Sequence, residues 1–184
     1  MTNPDKNPWK TLSEKKIYEN PWISLTEYQV VNPGGGQGIY GKMHFKNLAI
    51  GIIVLDEYYN TWLVGQYRYP LDQFSWEIPE GGGPLEDDPL KSAERELLEE
   101  TGITAGSWTE IQRMHLSNSV SDELAIIYLA RELEFGESNP EETEQLSIRK
   151  MSFNDAYDMV INGEITDSMS VTAILKVKVL NIVP

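Results

Sequence analysis

Three glutamates, Glu96, Glu99 and Glu100, carry the clearest chemistry in this chain. Residues three and four apart share one face of a helix, so these carboxylates project together. Like charges on one face repel and need a cation or an arginine to offset them. Oxygen-only ligands suit a hard cation such as magnesium or manganese. A solvated acidic face is the plainer alternative, and spacing alone leaves both open.

The helix that must present them spans Pro89 to Thr101. Pro89 suits its first turn, Asp87 or Asp88 its N-cap, and Gly102 its C-cap. Leu90, Ala93 and Leu97 lie on a neighbouring face that would pack onto a sheet.

Around that helix the sequence reads mainly as strands. Ile23 to Val31 alternates, with β-branched and aromatic residues. Asn32 to Gly38 is a turn, and Ile39 to Phe45 a returning strand. Ala49 to Leu55 is an apolar run of buried-strand length, expected to pair with Thr61 to Arg68 across Asp56–Asn60. Phe74 to Pro79 is extended and leads into Gly81-Gly82-Gly83. Ser107 to Met114, Glu123 to Leu129 and Leu146 to Met151 are further strands. Ser152 can cap a helix to about Asn162, and Asp167 one to about Asn181. The first ten or so residues are polar with two prolines and read as disordered. Strands with one central and two terminal helices make an α+β fold.

Composition limits the partners. The net charge of −14 repels nucleic acid, and no basic stripe offsets it. No apolar run reaches the roughly 20 residues that span a bilayer. The first residues lack the apolar core of a secretory signal. With no cysteine there is neither a disulfide framework nor a thiolate metal site. These features favour the cytoplasm. There is no internal repeat and no low-complexity linker.

Gly81 to Ile103 reads GGGPLEDDPLKSAERELLEETGI. This resembles the Nudix box: glycine, five residues, glutamate, seven residues, then Arg-Glu-apolar-any-Glu-Glu-any-Gly-apolar. Gly81, Arg95, Glu96, Leu97, Glu99, Glu100, Gly102 and Ile103 fall at their places. One position departs, with Asp87 where a glutamate is expected and Glu86 just before it. The resemblance implies a Nudix fold, an α/β/α sandwich with a mixed central sheet, here with an added N-terminal antiparallel sheet. It implies Glu96 and Glu100 as principal metal ligands (Mg2+ or Mn2+), with Glu99 beside them. The carbonyl of Glu80 is a further implied ligand, and Arg95 holds the carboxylates.

Outside the box, Val64 to Pro70, Trp76 to Gly82, Tyr18 to Leu25 and Glu141 to Val171 resemble the ADP-ribose and nucleoside-diphosphate-sugar pyrophosphatases. That branch implies residues 1–46 as an N-terminal β segment and 47–184 as the hydrolase domain. It implies a homodimer with exchanged N-terminal strands. Arg68 is a candidate phosphate contact because its guanidinium fork fits phosphate oxygens. An edge ion pair with a glutamate is the alternative. Glu77 sits near the metals or pairs with Arg68. Trp22 and Tyr18 are candidates for stacking on the base, although Trp22 could equally be core. Glu123 is the candidate sugar contact, in a loop where Asn118-Ser119 replaces the branch's Pro-Gly. In the acidic loop Pro140 to Gln145 the branch implies Glu142 as catalytic base and Glu144 as a further metal ligand; a one-residue slip would give Glu141 either role. The expected reaction is hydrolysis of the diphosphate bond of a nucleoside diphosphate sugar, ADP-ribose or one such as GDP-mannose. A Nudix hydrolase of triphosphates and a non-catalytic nucleotide sensor are the alternatives.

Overall fold

A computed structural model describes residues 6–137 and 146–183. The chain divides into two units, one of residues up to Asn47 plus His115–Glu123, the other of Leu48–Met114 plus the rest.

The first unit is an antiparallel three-stranded sheet of β1 (Lys10–Glu19), β2 (Ile23–Val31) and β3 (Gln37–Phe45). Its turns are made by asparagine side chains. Asn20 Oδ1 accepts the N–H groups of Trp22 at 2.9 Å and Ile23 at 2.8 Å. Asn32 Oδ1 accepts those of Gly34 and Gly36, both at 3.0 Å. Short polar side chains that bond the backbone locally favour such turns. The branch resemblance implies an N-terminal β segment, but the residue pattern assigns no strand over β1. All ten of its residues are exposed, so no buried face imposes an alternating pattern.

The segment His115–Glu123 is fixed to β3. Met43 donates its N–H to the Val120 carbonyl at 2.8 Å, and Asp122 donates back to Met43 at 3.2 Å. Asp122 accepts from His44 at 2.9 Å and the Phe45 N–H at 3.1 Å, and pairs with Lys42 at 2.8 Å.

The second unit holds two sheets and three helices. One sheet has the order β7-β4-β9-β8, from β4 (Asn47–Val54), β7 (Glu80–Pro84), β8 (Ile103–His115) and β9 (Leu124–Phe135). β4 and β9 run parallel, with Ala49 opposite Ala125 and Val54 opposite Ala130. The other sheet has the order β10-β5-β6, from β5 (Asn60–Arg68), β6 (Gln73–Glu77) and β10 (Ser147–Ser152).

The expected pairing of β4 with β5 does not form. Both edges of β4 are taken by β7 and β9, and both edges of β5 by β10 and β6. The Asp56–Asn60 turn is closed by Asp56 Oδ1, which accepts from Tyr58 and Asn60. It carries the chain from one sheet to the other.

Alternate residues of the β4–β9 pair face opposite sides, as strand geometry requires. Ile50, Ile52, Val54, Ile126, Tyr128 and Ala130 share a core cluster with Ala93 and Leu97 of α1 (Pro89–Thr101). Gly51 faces the other way, toward Met169 of α3 (Ser168–Val179). Helices therefore cover both faces of the mixed sheet. α2 (Phe153–Ile161) packs against α3.

The helix ends follow their caps. Asp88 caps α1 by accepting from Leu90 at 3.0 Å, with Pro89 in the first turn and Gly102 closing the helix at φ 70°. Ser152 caps α2 and Asp167 caps α3.

Candidate active site

α1 buries Ala93 and Leu97 completely, and that packing fixes which way its carboxylates point. Glu100 is buried, Glu96 nearly so, and Glu99 is partly exposed. Arg95 ties the group together. Its Nη1 donates to Glu99 at 2.7 Å, and its Nη2 to Glu96 at 2.6 Å and to the Gly82 carbonyl at 2.8 Å. Burial would lower the Arg95 pKa, but Glu96 and Glu99 outweigh it and hold it above its usual value. One arginine thus offsets the repulsion between carboxylates and pins them to β7.

The strand before the helix is shaped for the same carboxylates. A side chain at Gly81 would overlap the Glu96 carboxyl group, so only glycine lets it lie against the backbone. Glu80 donates its N–H to Glu100 Oε2 at 3.0 Å.

A second set of charges meets on the β6–β7 turn. Arg68 Nε donates to both Glu77 oxygens at 3.0 Å, and its Nη2 reaches Glu77 at 2.5 Å and Glu80 Oε1 at 2.7 Å. Glu77 therefore pairs with Arg68, and Arg68 is engaged by glutamates. Asp167 joins from the cap of α3: one oxygen each of Glu77, Glu80 and Asp167 lie within 4.8 Å of one another. Burial pushes the Glu80 carboxyl well above its usual value, and the charges of Asp167 and Glu77 add to that while Arg68 opposes it. Arg68 is held above its usual value despite burial, because Glu77 and Glu80 favour its charged form.

Arg68, Glu77 and the Glu80 carbonyl are candidates in the sequence; the Glu80 side chain and Asp167 are not. Asp167 was visible only as a helix cap. Its meeting with Glu80 depends on how α3 packs, and no local pattern encodes that.

The donor set fits a divalent cation. Carboxylate oxygens dominate, as hard cations require. Oε2 of Glu80 is buried without a hydrogen-bond partner among the described residues.

Trp22, Tyr18 and Glu123 belong to the first unit and are placed within it alone. Trp22 is 65% exposed, so it is not core, and Tyr18 is also exposed. Burial raises the Glu123 carboxyl pKa. Glu141, Glu142 and Glu144 lie outside the described residues.

Known proteins share this organisation. The nucleoside diphosphate sugar hydrolase N-terminal domain matches residues 9–42. The chain is 29% identical over 177 residues to an ADP-ribose pyrophosphatase of Mycobacterium tuberculosis (strain ATCC 25618 / H37Rv), covering 94% of this chain and 84% of that protein. It is 29% identical over 167 residues to an ADP-ribose pyrophosphatase of Bacillus subtilis (strain 168), covering 90% of each. A solved structure of an ADP compounds hydrolase has the same fold, with a TM-score of 0.85 at 16% identity, covering 97% of this chain and 96% of that one. The NUDIX domain model matches residues 45–168, a span that holds the glycine turn, Arg95 and the α1 carboxylates, and the chain belongs to the Nudix family.

Proposed function

We propose that this chain is a metal-dependent hydrolase of nucleoside diphosphate sugars, with ADP-ribose as the first candidate and others such as GDP-mannose behind it. The products are a nucleoside monophosphate and a sugar phosphate. One observation carries the reading: Arg95 holds Glu96 and Glu99 beside a glycine turn whose Glu80 N–H engages Glu100. The nucleoside diphosphate sugar hydrolase match at residues 9–42 supports the substrate class.

Glu96 and Glu100, with Glu99, the Glu80 carbonyl and Glu144, would hold magnesium or manganese. When bound, such an ion neutralises phosphate charge and acidifies a water. Glu142 takes the proton from the attacking water as general base. Arg68 uses Nε and Nη2 on its glutamates, which leaves Nη1 for a phosphate oxygen. Trp22 and Tyr18 stack on the base, and Glu123 contacts the sugar. Such stacking across two copies fits a homodimer with exchanged N-terminal strands. No helix among the described residues is long and apolar enough to cross a membrane; we assign the protein to the cytoplasm.

A panel of nucleoside diphosphate sugars and triphosphates with magnesium, scored for released monophosphate, tests the reading. Turnover of ADP-ribose or another sugar nucleotide supports it. Binding of these compounds without turnover would make the chain a sensor, and preference for triphosphates would move it to another branch. Glu142→Gln lowers kcat more than it weakens binding; if affinity falls and rate does not, Glu142 contacts substrate instead.

A further inference from the structure

We propose that Glu77, Glu80 and Asp167 form a divalent-cation site of their own, built by the β6–β7 turn and the cap of α3. Its ligands differ from the carboxylates of α1.

The geometry is that of a cation cage. One oxygen from each residue lies within 4.8 Å of the others. Oxygens bound to one hard cation at about 2.0–2.6 Å are at most about 5 Å apart. The three groups need no large movement to share an ion.

Charge points the same way. With all three ionised, as cation ligands must be, the carboxylates carry three negative charges, and Arg68 returns one positive charge by bridging Glu77 and Glu80. Two negative charges are left, which one divalent cation cancels. Glu77 is only 3% exposed, so solvent screens little of this repulsion.

The independent observation is an orphaned oxygen. The Glu80 side chain is 10% exposed. Its Oε1 accepts from Arg68, while Oε2 is buried with no hydrogen-bond partner among the described residues. A buried acceptor without a partner is costly and calls for a ligand. Asp167 is similarly half-used: Oδ2 accepts the Ser170 N–H at 2.7 Å, which leaves its other oxygen outside the cap.

The cage is also held firm. The buried Ser170 hydroxyl accepts the Ile78 N–H at 2.9 Å. That bond fixes the first turn of α3 to Ile78, between Glu77 and Glu80. A cation here would brace the turn whose Glu80 N–H meets Glu100. The site stands on its own geometry, but its use beside a diphosphate rests on the hydrolase reading.

Manganese binding to the full chain tests this, read from the electron paramagnetic resonance signal of free Mn2+. The Glu96→Gln, Glu100→Gln double variant removes the α1 charges and is expected to keep one bound Mn2+. Adding Asp167→Asn, which preserves a good helix cap, is expected to weaken that ion at least tenfold. Adding Glu80→Gln instead is expected to do the same, which guards against a folding defect in either variant. If the double variant binds no Mn2+, or if neither addition changes its affinity, the proposal is wrong. Failure of the hydrolase reading would look different: no turnover on the substrate panel, with this Mn2+ still bound.

Discussion

Glu80 and Glu100 are joined by one hydrogen bond, from the Glu80 backbone N–H to Glu100 Oε2 at 3.0 Å. It links the turn before the box to the last carboxylate of α1. Glu100→Gln keeps an acceptor for that N–H but loses the charge. The fold should persist, with an unchanged far-UV spectrum. Turnover of the best substrate should fall by more than the about 10–100-fold typical of losing a group one step removed from a metal. A variant with near-normal activity would overturn the proposed role of Glu100 as a metal ligand.

Gly81→Ala separates the site from the fold. The added methyl would overlap the Glu96 carboxyl, the far end of a flexible side chain. Glu96 can swing away, so little stability should be lost. Moving it breaks its 2.6 Å bond from Arg95 and takes a proposed metal ligand out of place. We expect a melting temperature near that of the unaltered protein, together with weaker metal binding and a large loss of activity. A large drop in melting temperature with activity intact would refute this account.

The features legible in the sequence were those with local causes. Pro89, Asp88 and Gly102 bound α1, and Ser152 and Asp167 start the next two helices. Each rests on a side chain or a φ preference within a few residues. The misread features had distant causes. β4 and β5 are adjacent in sequence and both strand-like, yet each found its partners elsewhere because β9 and β10 arrive later in the chain. β1 lacks a buried face and so lacks a pattern. Within the site, the α1 glutamates were readable from helical spacing and Arg95 from its place in the box. The ring of Arg68, Glu77, Glu80 and Asp167 was only half readable, because Asp167 is 87 positions beyond Glu80 and meets it through the packing of α3.

Arg68 is the cation on which Glu77 and Glu80 depend. Arg68→Ala leaves two largely buried carboxylates without it. Removing one partner of a buried ion pair costs about 3–5 kcal/mol. For a chain of this size that is a fall of roughly 10 °C in melting temperature. Arg68→Lys should recover only part of it, because an ammonium cannot make the forked contact to Glu77. If Arg68 served only an incoming phosphate, Arg68→Ala would raise KM and leave the melting temperature unchanged. Thermal melts of both variants without substrate decide between these.

Asp122 gives the first unit a pH dependence. Burial alone would raise its carboxyl pKa. Hydrogen bonds from Lys42, His44 and the Phe45 N–H outweigh burial and hold it at about 2. An unfolded aspartate titrates near 3.9, so below that pH the unfolded chain takes up the proton more readily than the folded one. The pairing therefore stabilises fully above about pH 4 and is lost as pH falls through about 2. Because Asp122 is a third exposed, its worth after solvent screening is about 1 kcal/mol. Asp122→Asn should lower the urea midpoint at pH 7, and the gap to the unaltered protein should close as pH approaches 2. Equal midpoints at pH 7 would show that the tie between β3 and His115–Glu123 rests on its other bonds, those of the Met43 backbone and of the Tyr40 hydroxyl to the Ser119 carbonyl.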